Sequence, residues 1–320
     1  MASIPPPLPT QRIPPPPTRK QSLPTLPPLD MRLLADLPNL ALQARYMAEG
    51  FLWGQHRSPQ KGSSVEFAEY RNYQFGDDLR RVDWRLYGRT DRLHVKQFEE
   101  ETQLRIFLVL DTSASMDFRS RPTAMSKIEF ARLALAALGL VAQRQRDAFG
   151  LALAGPELTD FLRPKASVAH WRTFVGKLET VRPGGRTSLA KTLESLAELI
   201  PARSMVIIAS DFYDDLETLE PALRRLRYDH HDLIGLHVLD PQEIDFDLDD
   251  SGIFVDAEIG SRLKLDAPAV RKNYLKRFGA FCEELDQLFY EVGGESARLR
   301  TDTTPVEAMT MYLAHRNSRL

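Results

Sequence analysis

The sequence predicts an α/β protein built on a mostly parallel sheet with helices covering both faces. Short apolar runs recur at residues 104–110, 148–154, 205–209 and 233–239. Segments with helical periodicity separate these runs, which is typical of parallel strands joined by helical crossovers. Because strands this apolar must be covered on both sides, the expected architecture is three-layered and Rossmann-like.

The remaining elements follow from apolar spacing. Leu40, Ala44 and Met47 recur at helical intervals after Pro38, which predicts a helix over residues 39–54. The crossover helices are expected at residues 128–145, 168–181, 188–199 and 216–227. Towards the C-terminus the pattern predicts a hairpin within 245–266, a long helix over 270–288, a short strand at 295–300 and a closing helix at 305–315.

These elements divide the chain into four parts. Residues 1–30 hold half of the 22 prolines and are expected to be a disordered Pro-rich tail. Residues 31–102 are expected to form an N-terminal helix and a β segment, and residues 103–242 the central α/β domain. Residues 243–320 are expected to pack back on that core as a hairpin and C-terminal helices. The strand-like stretches at 62–101 and 245–266 suggest one shared satellite β subdomain.

Composition excludes several classes of protein. A net charge of −2 argues against binding nucleic acid through overall charge. The single cysteine, Cys282, can form neither an intramolecular disulfide nor a thiolate zinc cluster. No apolar run approaches the roughly 20 residues of a membrane span, and the N-terminus lacks the pattern of a secretory signal. The expected location is therefore the cytoplasm.

Oxygen-bearing side chains follow the predicted strands. Asp111, Ser113 and Ser115 come directly after the first apolar run, Thr187 precedes a helix, and Asp211 follows a later run. Carboxylate and hydroxyl oxygens without His or Cys select a hard cation, Mg²⁺ first and Mn²⁺ second. Because hydroxyl ligands do not neutralise the ion, it would keep an open position that attracts a carboxylate from another molecule.

This constellation resembles the metal-ion-dependent adhesion site of von Willebrand factor A domains. The resemblance implies that Ser113 and Ser115 ligate the metal directly, and that Thr187 ligates it directly or through water. It implies that Asp111 and Asp211 act largely through water. One departure is Phe212, since many members of that family have Gly after the third-motif Asp.

Upstream residues resemble a bacterial family known as domain of unknown function number 58, and the resemblance spans roughly residues 31–300. It is carried by Glu66-Phe67, Arg71, the stretch Tyr73-x-x-Gly76-Asp77-Asp78-x-x-Arg81-x-Asp83-Trp84, and Lys96-x-Phe98-x-Glu100. A buried ion-pair network that braces a buried Trp84 is expected from Arg71, Asp77, Asp78, Arg81 and Asp83. Members of the family commonly accompany AAA+ ATPases of the MoxR type, which the resemblance implies as the partner.

Three functions remain open from the sequence. The first is a non-enzymatic module that uses Mg²⁺ to capture an acidic residue of a MoxR-type AAA+ ATPase in a remodelling or maturation system. The second is a metal-dependent phosphohydrolase of the haloacid dehalogenase type, which usually needs another Asp where this chain has Ser113. The third is a metal-free scaffold in which the same hydroxyls only cap turns.

Overall fold

The computed structural model describes residues 31–55, 70–72, 84–96, 104–120, 123–248, 252–255 and 260–318. The strands are β1 (Tyr70–Asn72), β2 (His94–Lys96), β3 (Arg105–Asp111), β4 (Ala148–Ala154), β5 (Leu158–Lys165), β6 (Met205–Ser210), β7 (Asp232–Leu239), β8 (Gly252–Val255), β9 (Arg262–Leu265) and β10 (Glu295–Arg300). The helices are α1 (Met31–Ala35), α2 (Leu40–Gln55), α3 (Trp84–Thr90), α4 (Lys127–Arg144), α5 (Val168–Thr180), α6 (Leu189–Leu199), α7 (Leu216–Tyr228), α8 (Pro241–Asp245), α9 (Ala267–Glu291) and α10 (Val306–Ser318).

Six strands form the central sheet in the order β10-β7-β6-β3-β4-β5. All neighbouring pairs are parallel except β4 with β5, which is antiparallel. This mostly parallel sheet confirms the predicted von Willebrand factor A-like, Rossmann-like fold class. The strand order reverses between β3 and β6, and in open α/β sheets such a reversal opens a crevice at the carboxyl ends of the two strands.

Helices cover both faces of this sheet, as the apolar strands require. In β3, Ile106, Leu108 and Leu110 belong to the core cluster formed with α2, α4, α5 and α10, whereas Phe107 and Val109 belong to the cluster formed with α6, α7 and α9. This alternation follows from the two-residue period of a strand. The four predicted crossover helices are confirmed, with ends within one residue of the predicted ones.

One of the two edge strands of the sheet was not predicted from the sequence. The edge strand β5 lies where no strand was predicted, since its mostly half-buried residues do not form a continuous apolar run. It contains Pro164, which only an edge strand tolerates. The opposite edge strand, β10, confirms the short strand predicted at residues 295–300, and it joins the sheet from outside residues 103–242.

The shared satellite β subdomain is wrong for the described residues. β1 pairs with β2 and β8 pairs with β9, each antiparallel and each as a separate two-stranded sheet. Strands close in sequence pair at a lower loop-closure cost than the two distant segments would.

Within the described ranges, no helix has both the length and the apolar composition needed to cross a bilayer.

Candidate metal centre

The two predicted aspartates lie at the reversal of strand order. Asp111 is the last residue of β3, and Asp211 directly follows β6. The two strands are parallel neighbours, with Leu110 paired with Ala209, so their carboxyl ends deliver both aspartates to the same edge. Both side chains are buried. Hydrophobic periodicity set the strands, and the topology then placed these carboxylates in the crevice where α/β proteins bind ligands.

The loop after β3 folds back on its own aspartate. The backbone N–H of Ser113 donates to Asp111 Oδ1 at 2.9 Å. The hydroxyls of Ser113 and Ser115 lie 2.9 Å apart and hydrogen-bond to each other. The single turn of 3₁₀ helix that starts at Ala114 fixes this spacing.

Backbone hydrogen bonds join the loop that carries Thr187 to the first loop. The N–H of Ala114 donates to the carbonyl of Gly185 at 3.0 Å, and the N–H of Gly184 donates to the carbonyl of Thr112 at 2.9 Å. Gly185 has φ +70°, a conformation that glycine adopts without strain. These contacts bring Thr187 to the end of β3 although 76 positions separate it from Asp111 in the numbering.

A small cavity of about 10 Å³ lies where the three loops meet, lined by Asp111, Ser113, Thr187, Leu189, Asp211, Tyr213 and Asp214. This volume suits one water molecule or one ion. The Thr187 hydroxyl is close enough to Asp111 to favour its charged form. That hydroxyl is buried, yet it makes no hydrogen bond of acceptable geometry with any described residue. A buried hydroxyl without a partner is costly, so the residues present fit a bound cation.

The donor chemistry points the same way. Among the described residues, no group of three or more His, Cys, Asp or Glu side chains could hold a metal. A metal at this edge would therefore have to use hydroxyl oxygens as well as the two carboxylates. Such an all-oxygen set suits Mg²⁺ or Mn²⁺ rather than zinc.

Electrostatics at Asp111 reflect a shortage of positive charge. Burial out of water, followed by the charge of Asp211, raises the pKa of Asp111 to about 6. Hydrogen bonds from neutral groups oppose the rise, including the Ser210 hydroxyl, which donates to Asp111 Oδ2 at 2.5 Å. The carboxylate is thus held in place without being neutralised.

The sequence analysis did not identify Lys127, which belongs to this edge. Its ammonium lies 2.7 Å from Asp211 Oδ2 and 2.7 Å from Glu243 Oε1, and 4.8 Å from the centre of the Tyr213 ring. Burial acts to lower the pKa of Lys127, but the charges of Asp211 and Glu243 outweigh it and raise that pKa above its ordinary value. One signal was available: a lysine in the first turn of a nearly all-buried helix opposes the helix dipole.

Ser210 and Glu243 were also missed. Ser210 ends β6, so its position directly before Asp211 could have suggested a supporting role. Glu243 could not have been found, because its contact with Lys127 joins residues 116 positions apart.

The family-motif residues fall mostly outside the described part of the chain. Arg71 lies in β1, opposite Val95. Trp84 begins α3 and is 59% exposed, so the prediction of a buried ring is wrong. The ring packs edge-on against Tyr87 on the same short helix, with ring centroids 6.2 Å apart. Tyr73, Gly76, Asp77, Asp78, Arg81 and Asp83, and with them the predicted ion-pair network, lie outside the described residues.

Similar solved structures include an aerotolerance-related membrane protein from Bacteroides fragilis, crystallised with multiple mutations to serines. It is 14% identical, the match covers 67% of this chain and 99% of that chain, and the TM-score is 0.47. BatB from Bacteroides thetaiotaomicron is also 14% identical, with the same shares covered and a TM-score of 0.44. The SpRpn10 VWA domain is 10% identical, with 65% and 94% covered and a TM-score of 0.39.

The matches to two curated relatives cover nearly the full length of the chain. Uncharacterized protein Rv1480 from Mycobacterium tuberculosis and uncharacterized protein Mb1516 from Mycobacterium bovis are each 29% identical over 294 residues, which is 90% of this chain and 90% of the relative. Residues 69–280 match the family described as "Protein of unknown function DUF58". Because this match spans more than half of the sequence, the chain belongs to the DUF58 family.

Proposed function

We propose that this chain is a non-enzymatic protein-binding module that uses a Mg²⁺ ion to capture an acidic side chain of a partner. The residues that would hold the ion are Asp111, Ser113, Ser115, Thr187 and Asp211. The observation that carries the proposal is that Asp111, Ser113, Thr187 and Asp211 line one ion-sized cavity, in which the Thr187 hydroxyl is buried without a hydrogen bond of acceptable geometry. The Ser115 hydroxyl adjoins this set, 2.9 Å from that of Ser113.

The charge count at this edge favours a dication. The ammonium of Lys127 pairs with Asp211 and Glu243, whereas the groups that hydrogen-bond to Asp111 are neutral. Asp214 also lines the cavity, so the carboxylates at this site outnumber the ammonium when all are ionised. Burying uncompensated charge is unfavourable, and the raised pKa of Asp111 is one consequence. One Mg²⁺, or Mn²⁺ in its place, would offset this excess of negative charge.

The hydroxyl ligands determine what the site can bind. Ser113, Ser115 and Thr187 contribute neutral oxygens, so they leave the positive charge of a bound ion largely undiminished. Mg²⁺ would supply a Lewis-acidic position with a strong preference for a carboxylate oxygen. An Asp or Glu side chain on a partner protein fits that preference.

The partner we propose is a MoxR-type AAA+ ATPase, since DUF58 proteins commonly accompany such ATPases. The pair would act in remodelling or maturing a third protein. We propose that this takes place in the cytoplasm, the location expected from the sequence. Capture would be cooperative, because a partner carboxylate that completes the coordination of the ion must strengthen the binding of the ion by the same factor.

The test is co-purification of the tagged full-length chain from its native cells, in buffer with Mg²⁺ or with a chelator. We expect an AAA+ ATPase to be retained with Mg²⁺ and lost both with the chelator and with the Asp111→Asn variant. The matched control is Asp160→Asn, which removes an exposed carboxylate paired with Lys177 and should retain the ATPase. Retention that ignores Mg²⁺ would favour the metal-free scaffold instead.

A further inference from the structure

The carboxylates of the candidate metal centre are already engaged by groups of the chain itself. Asp211 Oδ2 accepts from the Lys127 ammonium at 2.7 Å, and Asp211 Oδ1 accepts from the N–H of Tyr213 at 3.3 Å. Asp111 accepts from the Ser113 N–H and from the Ser210 hydroxyl. All four carboxylate oxygens therefore have a donor, whereas the Thr187 hydroxyl, although close to Asp111, makes no hydrogen bond of acceptable geometry with any described residue.

Lys127 is the strongest of these donors. It is fully buried, so solvent does not screen its charge, and it makes a charge-assisted hydrogen bond to Asp211. A carboxylate that binds a metal directly must turn an oxygen lone pair towards the ion. The ammonium competes for that lone pair, and its positive charge also repels a cation nearby.

Glu243 determines where the ammonium rests. Its Oε1 lies as close to Lys127 as Asp211 does, and its Oε2 accepts from the N–H of Asp240 at 2.9 Å. Tyr274 donates its hydroxyl to the carbonyl of Glu243 at 2.9 Å, which anchors α8 against α9. Because Glu243 is held on both sides, it draws the ammonium partly away from Asp211.

We propose that Lys127 is a positioning residue that restrains Asp211 from direct metal ligation, so that the chain alone binds Mg²⁺ weakly and a partner carboxylate completes the site. This inference rests on the proposed function and specifies its regulation. Lys127 weakens the intrinsic affinity for Mg²⁺, and Glu243 relieves part of that effect by sharing the ammonium.

Two substitutions should move the affinity in opposite directions. In Lys127→Met, Asp211 is released and the buried positive charge is gone, so Mg²⁺ should bind at least tenfold more tightly. In Glu243→Gln, the ammonium rests on Asp211 alone and one negative charge is lost, so Mg²⁺ should bind several-fold more weakly. Lys177→Met is the matched control, because Lys177 pairs with Asp160 at a partly exposed site and should leave the affinity unchanged.

The measurement is isothermal titration of the full-length chain with MgCl₂ alone, with thermal unfolding of each variant in chelator. A Lys127→Met protein that is less stable yet binds Mg²⁺ more tightly supports the inference, since a purely structural lysine would lower both. Equal or weaker binding by folded Lys127→Met overturns it. If that variant does not fold, Glu243→Gln decides, and unchanged or tighter binding overturns the inference.

The two levels of the proposal fail differently. If the wild type binds Mg²⁺ through Asp111 but Lys127→Met does not bind it more tightly, only the role of Lys127 is wrong. If neither the wild type nor Lys127→Met binds Mg²⁺, both the role of Lys127 and the metal-dependent function are wrong.

Discussion

Two buried aspartates near opposite ends of β3 show how the two ends of the central strands differ. Asp147 accepts from the Leu104 N–H just before β3, and Asp111 ends the same strand. Both are almost completely buried. Asp147 also accepts from Arg316 Nε at 2.8 Å and from the Tyr312 hydroxyl at 2.5 Å, so the chain supplies its counter-charge and anchors α10.

Asp111 is held without such a counter-charge. Its hydrogen bonds come from the Ser113 N–H and the Ser210 hydroxyl, which are neutral, while the nearby Lys127 ammonium contacts Asp211 and Glu243. The charge of Asp147 is balanced within the folded chain, whereas the strand ends at Asp111 carry an excess of negative charge. This contrast separates a carboxylate that the chain neutralises itself from one for which we propose an external cation.

The largest expected effect on stability is at Asp147, whose charge the chain itself balances. Asp147→Asn should lower the free energy of unfolding by about 3 kcal/mol or more, because it leaves the Arg316 guanidinium largely buried without its counter-charge. Urea unfolding measures it. A loss as small as that of an exposed aspartate would remove the structural half of the comparison.

The next effect is the response to Mg²⁺ at Asp111. At a concentration 100-fold above Kd, Mg²⁺ should raise the free energy of unfolding of the wild type by about 2.7 kcal/mol. Asp111→Asn should gain none of this, yet in chelator at pH 7 it should be at least as stable as the wild type, because it no longer buries a charge. Equal Mg²⁺ stabilisation of both proteins would contradict the assignment.

The affinity for Mg²⁺ should depend on pH through Asp111. Because the pKa of Asp111 is raised to about 6, its proton competes with the metal below that pH, and affinity should fall about tenfold between pH 7 and pH 5. In chelator the sign is reversed: the contribution of Asp111 to stability is fully present below pH 3.8 and is lost as pH rises through about 6. Titration calorimetry across this range checks the first statement, and a flat profile would contradict it.

The smallest effect is expected at an exposed aspartate. Asp160 pairs with Lys177, and both side chains are about one third exposed. Asp160→Asn should change the free energy of unfolding by less than about 0.5 kcal/mol, with or without Mg²⁺. A larger change in urea unfolding would mean that burial does not decide which carboxylates matter.

The sequence was sufficient for the framework and for the meeting of the three loops at the candidate site. Apolar runs ending at Asp111 and just before Asp211 predicted the strands, and parallel strands deliver their ends to one edge, so the convergence of the loops followed. The edge strand β5 was missed because its half-exposed, mixed composition carries little of the apolar signal that marked the central strands.

Long-range polar contacts could not be predicted. Lys127 is an unfavourable first-turn residue by the helix dipole, but only the folded chain brings Asp211 and Glu243 to it. Trp84 was expected to be buried within the ion-pair network of the family motif, but it lies on a short helix and is mostly exposed. Periodicity reports which face of an element is covered; it does not report which charges meet across the fold.

The most direct test of the central claim is a crystal structure of the full-length chain grown with Mn²⁺, with anomalous scattering recorded for the metal. The account predicts a manganese peak at the cavity between β3 and β6, about 2.1 Å from the hydroxyls of Ser113 and Ser115, with Thr187 as a direct or water-mediated neighbour. A well-ordered edge without a peak, or with the Thr187 hydroxyl bound to Asp111 in the place of the ion, would contradict it.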